Sequence, residues 1–164
     1  MGKHKFYQCD WAVKHKKGDE VLFEGTFRNS LADQGEQLLL QTFFQAENVP
    51  TNFFVGLGYG TMSEASTLDT VPNEPSGNGY SRITLTRDTT GFPEMEMEDG
   101  DWVVWTEEKY FEASGGSIGP VNIAFIGATL PDATERLVSY LSLPIEVTLA
   151  DGETYTFAIK IKAM

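Results

Sequence analysis

Ile145-Glu146-Val147-Thr148-Leu149-Ala150-Asp151-Gly152-Glu153-Thr154-Tyr155-Thr156-Phe157-Ala158-Ile159-Lys160-Ile161 is the stretch that decides the fold class. Ile145 to Leu149 and Tyr155 to Ile161 read as strands, and the Asp151-Gly152 dipeptide between them supplies the positive φ angles of a tight turn. A β-hairpin is therefore expected over 145–161. Upstream, Leu137 to Leu143 and Val121 to Gly127 read as further strands, and Trp102 to Thr106 with Lys109 to Glu112 as two strands or one bent one. Tyr80 to Arg87 alternates almost strictly, with Tyr80, Arg82, Thr84 and Thr86 on one face and Ile83 and Leu85 on the other, the pattern of a half-buried strand. Asn52 to Gly60 is apolar, and its glycines predict close backbone approach or a bulge. Glu20 to Phe27 completes the strand set; Thr61 to Asn78 and Gly91 to Asp101 read as polar and acidic loops.

One helix interrupts this pattern. Asn29 or Ser30 offers an N-cap, and Leu31, Gln34 or Gly35, Leu38, Leu39, Thr42 and Phe43 recur at helical spacing, predicting one buried stripe over 31–45. Gly35 weakens such a helix and so points to close packing. Seven to nine strands with this helix predict a mainly β chain: an antiparallel β-sandwich, Greek-key or jelly-roll-like, with one α-helix near residues 31–45.

At 164 residues the chain fits one domain and is long enough to bury a core without staples. Cys9 is the only cysteine, so no intramolecular disulfide forms. No apolar run approaches a membrane span, and Phe6 to Trp11 is too short and polar for a signal-peptide core. The expectation is a chain without a signal peptide, made in the cytosol and not embedded in a membrane. Charge divides it unevenly. The net value is −12, yet Lys3, Lys5, Lys14, Lys16 and Lys17 stand against Asp10 alone in the first 17 residues, about +4, leaving about −16 on the rest. So acidic a body repels a phosphate backbone, which argues against nucleic acid as partner. Residues 1–19 are read as a basic N-terminal arm and 20–164 as a single β-sandwich domain.

The catalytic inventory is thin. His4 and His15 are the only histidines, and both fall with Cys9 in the basic arm, poor ground for a preorganised site. Gly56-Leu57-Gly58-Tyr59-Gly60 matches no phosphate-binding spacing. No cofactor is expected. Glu94, Glu96, Glu98, Asp99 and Asp101 are a weak candidate set for a hard cation such as Ca²⁺, weighed against a solvated acidic loop. Trp102 and Trp105 could stack on sugar rings, or serve as core residues. Tyr80 and Arg82 share a strand face, so the Arg stem can lie over the ring while its head meets a carboxylate, stitching the long loop to the sheet.

Several segments carry a likeness. Leu31 to Phe44 is followed by Asn52-Phe53-Phe54-Val55-Gly56-Leu57, Met62 to Leu68, and Glu74-Pro75-Ser76-Gly77-Asn78-Gly79-Tyr80-Ser81-Arg82. Gly115-Gly116-Ser117-Ile118-Gly119 then leads into Val121 to Phe125, and Leu143-Pro144-Ile145 into Asp151-Gly152-Glu153. Over about residues 29–162 this order resembles small virion structural proteins of tailed bacteriophages, with the Ser-Gly-Asn-Gly-Tyr-Ser-Arg segment its most specific part. The resemblance implies an accessory virion part: a decoration (cement) protein bound to the major capsid protein or other virion subunits and itself a homo-oligomer, or alternatively a tail or tail-fibre component. A carbohydrate-binding module using Trp102 and Trp105 is the reading from a different class. In the decoration reading, the basic segment acts as a docking strap, with Phe6, Tyr7 and Trp11 as aromatic anchors among Lys3, Lys5, Lys14, Lys16 and Lys17.

Overall fold

The structure, a computed structural model, describes residues 7–163. In chain order its elements are β1 (Tyr7–Lys17), β2 (Glu20–Arg28), β3 (Ser30–Leu31), the helix α1 (Asp33–Leu40) continued by a π-helical turn (Gln41–Gln45), and β4 (Asn52–Gly58). There follow β5 (Ile83–Thr86), β6 (Glu94–Glu98), β7 (Asp101–Trp105), β8 (Lys109–Glu112), β9 (Ile118–Thr129), β10 (Glu135–Leu149) and β11 (Glu153–Ala163). They form an antiparallel β-sandwich. The first sheet runs β2-β1-β11-β7-β6, with β8 also on β11, and the second runs β3-β10-β9-β4-β5.

Period-two alternation builds the core. Trp11, Val13, Tyr155, Phe157 and Ile159 of the first sheet pack with Val55, Leu57, Ile126 and Leu141 of the second in one buried cluster. Each fully buried side chain of this size contributes about 1.5–3 kcal/mol. The second sheet is apolar on its other face too, where Phe54, Phe125, Leu137 and Tyr140 cluster with Met62 of the long β4–β5 connection. The sandwich therefore carries a third layer, made of loop rather than sheet.

The N-terminal strand overturns the expected arm. Tyr7–Lys17 pairs with β11 along its whole length and with β2 on its other edge, so it lies inside the first sheet. Cys9, Trp11 and Val13 alternate with polar residues and are fully buried, which the nearby lysines mask in the sequence. Trp11 tilts against Phe157 at 5.8 Å and is no docking anchor. The domain therefore begins no later than Tyr7; Lys3, Lys5 and Phe6 lie outside the described residues.

The expected hairpin at Asp151-Gly152 is also replaced. The turn forms, closed by the Glu153 N–H to Ala150 O at 2.9 Å, but it carries the chain from the second sheet into the first. Both edges of β11 are already taken, one by β1 and the other by β7 and β8. The turn is instead anchored to the segment after β8: Gly152 N–H donates to Ala113 O at 2.7 Å and Gly115 N–H to Asp151 Oδ1 at 2.8 Å.

The acidic stretch read as a loop is in fact the strand β6. It makes a hairpin with β7 through Asp99 and Gly100, whose φ values of 52° and 88° are those a two-residue hairpin loop needs.

The helix starts at Asp33 behind Ala32, because Ser30 and Leu31 spend their backbone on pairing with β10. Gly35 is packed so closely on β10 that an added Cβ would sit 2.0 Å from the Val138 carbonyl oxygen. The π-helical turn then shifts the phase of the stripe, so Phe43, expected inside, is 78% exposed.

Two outcomes follow. Gly35→Ala should destabilise the protein by about 3 kcal/mol, read as a shifted denaturant midpoint, since backbone on both sides cannot give way. Glu153 accepts from the Ala150 N–H and from His15 Nε2 at 2.7 Å, and these donors hold its carboxyl below the usual range. The unfolded chain thus takes up this proton first on acidification, so stability is complete above about pH 4.5 and falls as the pH drops through the folded pKa. Glu153→Gln should lower stability at neutral pH and flatten that acid limb in urea titrations at successive pH values.

Candidate functional site

Tyr80 and Arg82 stand at the centre of the loop layer. Both precede β5 rather than belonging to it. Arg82 donates through Nε to Glu74 Oε1 at 2.8 Å and through Nη2 to Glu74 Oε2 at 2.9 Å, while Nη1 reaches Glu135 Oε2 at 2.9 Å. The sequence reading put the guanidinium stem over Tyr80. The structure puts the head over Phe54 and Phe125, 5.0 and 5.5 Å from their ring centroids. Those rings cover Gly56 and Gly127, each on the directly opposite residue of the neighbouring strand. Tyr80 stacks instead on Phe111 at 5.6 Å, accepting from the Leu57 N–H and donating to Glu74 Oε1, the oxygen it shares with Arg82 Nε. Burial pushes its phenol well above the ordinary range. The cluster ties the β4–β5 connection to the second sheet; its polar atoms are turned toward one another rather than toward a ligand.

The other predicted residues are dispersed. Lys14 and Lys17 are exposed and Lys16 partly so, with Lys14 opposite Glu24 on β2. Tyr7 accepts from the Cys9 thiol inside the sheet. Burial pushes that thiol up to about 12, so it stays protonated at neutral pH. His15 is held by Glu153, away from Cys9 in the strand register.

The carboxylates of β6 do not converge. Glu94, Glu96 and Glu98 repeat along an extended strand about 6.6 Å apart, Glu98 is bound by Lys160 at 2.7 Å and Asp101 by Lys162 at 3.0 Å. Among the described residues no three His, Cys, Asp or Glu side chains are placed to share a metal ion. Trp102 pairs across from Met97 and Trp105 from Glu94, so the two indoles face opposite sides of the sheet and form no joint sugar platform. Lys160 covers Trp105 at 5.4 Å, whereas Trp102 is 55% exposed.

Two apolar surfaces that sequence reasoning missed are left open. At the foot of α1, Leu40, Phe43 and Phe44 are 52, 78 and 76% exposed. Beside them, where α1 bridges the two sheets, lies an apolar cavity of about 290 Å³, lined by Leu38, Phe53, Leu85, Phe92 and Ile161, with Phe43 also contributing and Arg87 its one charged neighbour. The second surface is on the β6–β7 hairpin. Cys9, Ile161, Val104 and Met95 lie in one row across four strands on the core-facing side. Cys9 is fully buried but Met95 is 70% exposed, and its neighbour Met97 is 59% exposed. The first sheet thus overhangs the core, and its inner face emerges into solvent. The alternation of Glu and Met at 94–98 was the available signal.

Comparisons with known proteins leave these surfaces to be read on physics alone: no family model matches the chain, and no curated protein or solved structure was found similar to it.

Arg82→Ala should cost about 2 kcal/mol, since it leaves the Glu74 carboxylate without its counter-charge and takes the cation from two rings. Amide exchange in residues 61–78 should quicken as the loop detaches, and Arg82→Lys should not restore protection, because an ammonium cannot bridge Glu74 as a fork.

Proposed function

We propose that this chain is a structural, non-catalytic subunit of a bacteriophage virion, and within that class a decoration protein seated on the outside of a capsid lattice. The observation that carries the reading is the foot of α1. Among the described residues no large apolar side chains are more exposed than Phe43 and Phe44, and Phe43 lines an apolar cavity able to take a partner's side chain. Exposed aromatic pairs beside a pocket are the usual anchors of protein interfaces, where a few such residues supply most of the affinity. The exposed Lys14 and Lys17 lie on β1 and would act as charged rim contacts rather than as a strap. An acidic body with net charge −12 would keep decorated particles apart. The virion class itself rests on the likeness of residues 29–162 to phage structural proteins. A non-catalytic role agrees with a protonated, buried Cys9 and a His15 engaged by Glu153.

The test is binding of the purified protein to virions of the encoding phage that lack it, measured by co-sedimentation. Phe43→Ser/Phe44→Ser should lower particle affinity at least tenfold while leaving folding stability within about 0.5 kcal/mol, as expected for exposed positions. Unchanged occupancy would remove the helix foot as the docking site, and failure of the wild-type protein to bind any particle would remove the reading itself.

A further inference from the structure

The apolar cavity beside α1 is built from both sheets. Leu38 comes to it from the helix, Phe53 and Leu85 from the second sheet, and Ile161 from the first. Its volume, about 290 Å³, is roughly twice the ~150 Å³ of an apolar cavity that takes one benzene ring, so at the same packing it holds about a dozen carbon atoms. Atoms lining such a void forgo the dispersion contacts of a packed interior, and an apolar occupant restores them.

Two polar groups make the cavity selective. Arg87 stands one residue beyond β5, in the parity of the buried Leu85, and so reaches the cavity wall while remaining exposed. Its Nη1 donates to Pro50 O at 3.1 Å, and among the described residues no carboxylate lies within ion-pair distance of it. In a chain with 24 acidic residues, this guanidinium at the cavity mouth is left open to an anion. Thr42 also lines the cavity, and its hydroxyl oxygen is buried with no hydrogen-bond partner among the described residues. A helical hydroxyl can bond the carbonyl one turn back, so its isolation here leaves a polar contact for an occupant to fill.

We infer that the cavity binds a small monocarboxylate with an apolar tail of about eight to ten carbons, its carboxylate on the Arg87 guanidinium and its tail between Leu38, Phe53, Leu85 and Ile161. Charge sets the class. A body of net charge −12 repels anions in general, so plain hydrophobic uptake would favour a cationic tail over an anionic one. A cation at the mouth reverses that order. The docking reading rests on Phe43 and Phe44 and this one on Arg87 and the cavity interior; ligand binding is measured without particles, so either can fail alone.

The experiment is isothermal titration calorimetry of the full chain at neutral pH with octanoate, 1-octanol and octylammonium, each below its micelle-forming concentration. Octanoate should bind one molecule per chain at least tenfold tighter than octanol, with octylammonium weakest. Arg87→Gln should weaken octanoate at least tenfold while leaving octanol within about twofold. Leu39→Trp, which fills the cavity from the helix, should abolish binding of both. Circular dichroism checks folding, and Arg87 is exposed, so its variant decides the matter should the tryptophan variant fail to fold. A wild-type chain that takes up no octanoate at millimolar concentration overturns the inference. So does octanol binding as tightly as octanoate, an Arg87→Gln variant that binds octanoate like wild type, or a folded Leu39→Trp variant that still binds it.

Discussion

Phe54 and Phe125 place their rings over Gly127 and Gly56, their cross-strand neighbours, and the Arg82 guanidinium lies over both rings. The glycines make room for the rings, and the rings give the cation a face to rest on. Glu74 and Glu135 then neutralise that cation from above. This stack is what allows the second sheet to be apolar on both faces. Without a cover, Phe54, Phe125, Leu137 and Tyr140 would meet water, and the connection between β4 and β5 is that cover. Its length and polarity make sense once its task is to carry Glu74 and Arg82 into place.

The first sheet solves a different problem. It has one apolar face and one charged one, and the charged face is laced by pairs such as Arg28–Asp10, Lys160–Glu98 and Lys162–Asp101. Such exposed pairs contribute little stability each. Their value lies in keeping the outer face soluble while β1 and β11 hold the centre. Because this sheet extends past the second one, its inner face emerges at Met95, Met97 and Trp102. The most exposed apolar side chains are therefore concentrated at the overhanging hairpin and at the foot of α1.

Much of this arrangement was legible residue by residue. Gly35 announced the close approach of α1 to β10; the glycines of Asn52–Gly58 predict close backbone approach or a bulge, which Gly58 meets at the Pro72 carbonyl, whereas Gly56 makes room for the Phe125 ring. Arg82 was expected to meet a carboxylate and does; the ring beneath it belongs to residues distant in sequence, which no local pattern names. Other features were legible but masked. Cys9, Trp11 and Val13 alternate as a core strand should, among lysines that suggested a solvated arm. Phe43 followed the helical period, but the π-helical turn at Gln41–Gln45 adds a residue to the turn and rotates the ring outward, a choice made by packing and not by spacing.

The Asp-Gly dipeptide occurs at 99–100 and again at 151–152, and the chain reverses at both. That much is local: a residue tolerant of positive φ followed by one indifferent to it forms a turn wherever it stands. Whether the flanking strands then pair is not local. After Asp99-Gly100 the strand β7 finds a free edge on β6 and makes a hairpin. After Asp151-Gly152, where only Gly152 takes a positive φ, both edges of β11 are filled by β1, β7 and β8, and the turn sends the chain from one sheet to the other. Alternation and turn chemistry in the sequence determined strands, reversals and a β-sandwich. Only the folded molecule decided which edges were free, because each strand has just two edges and distant segments compete for them.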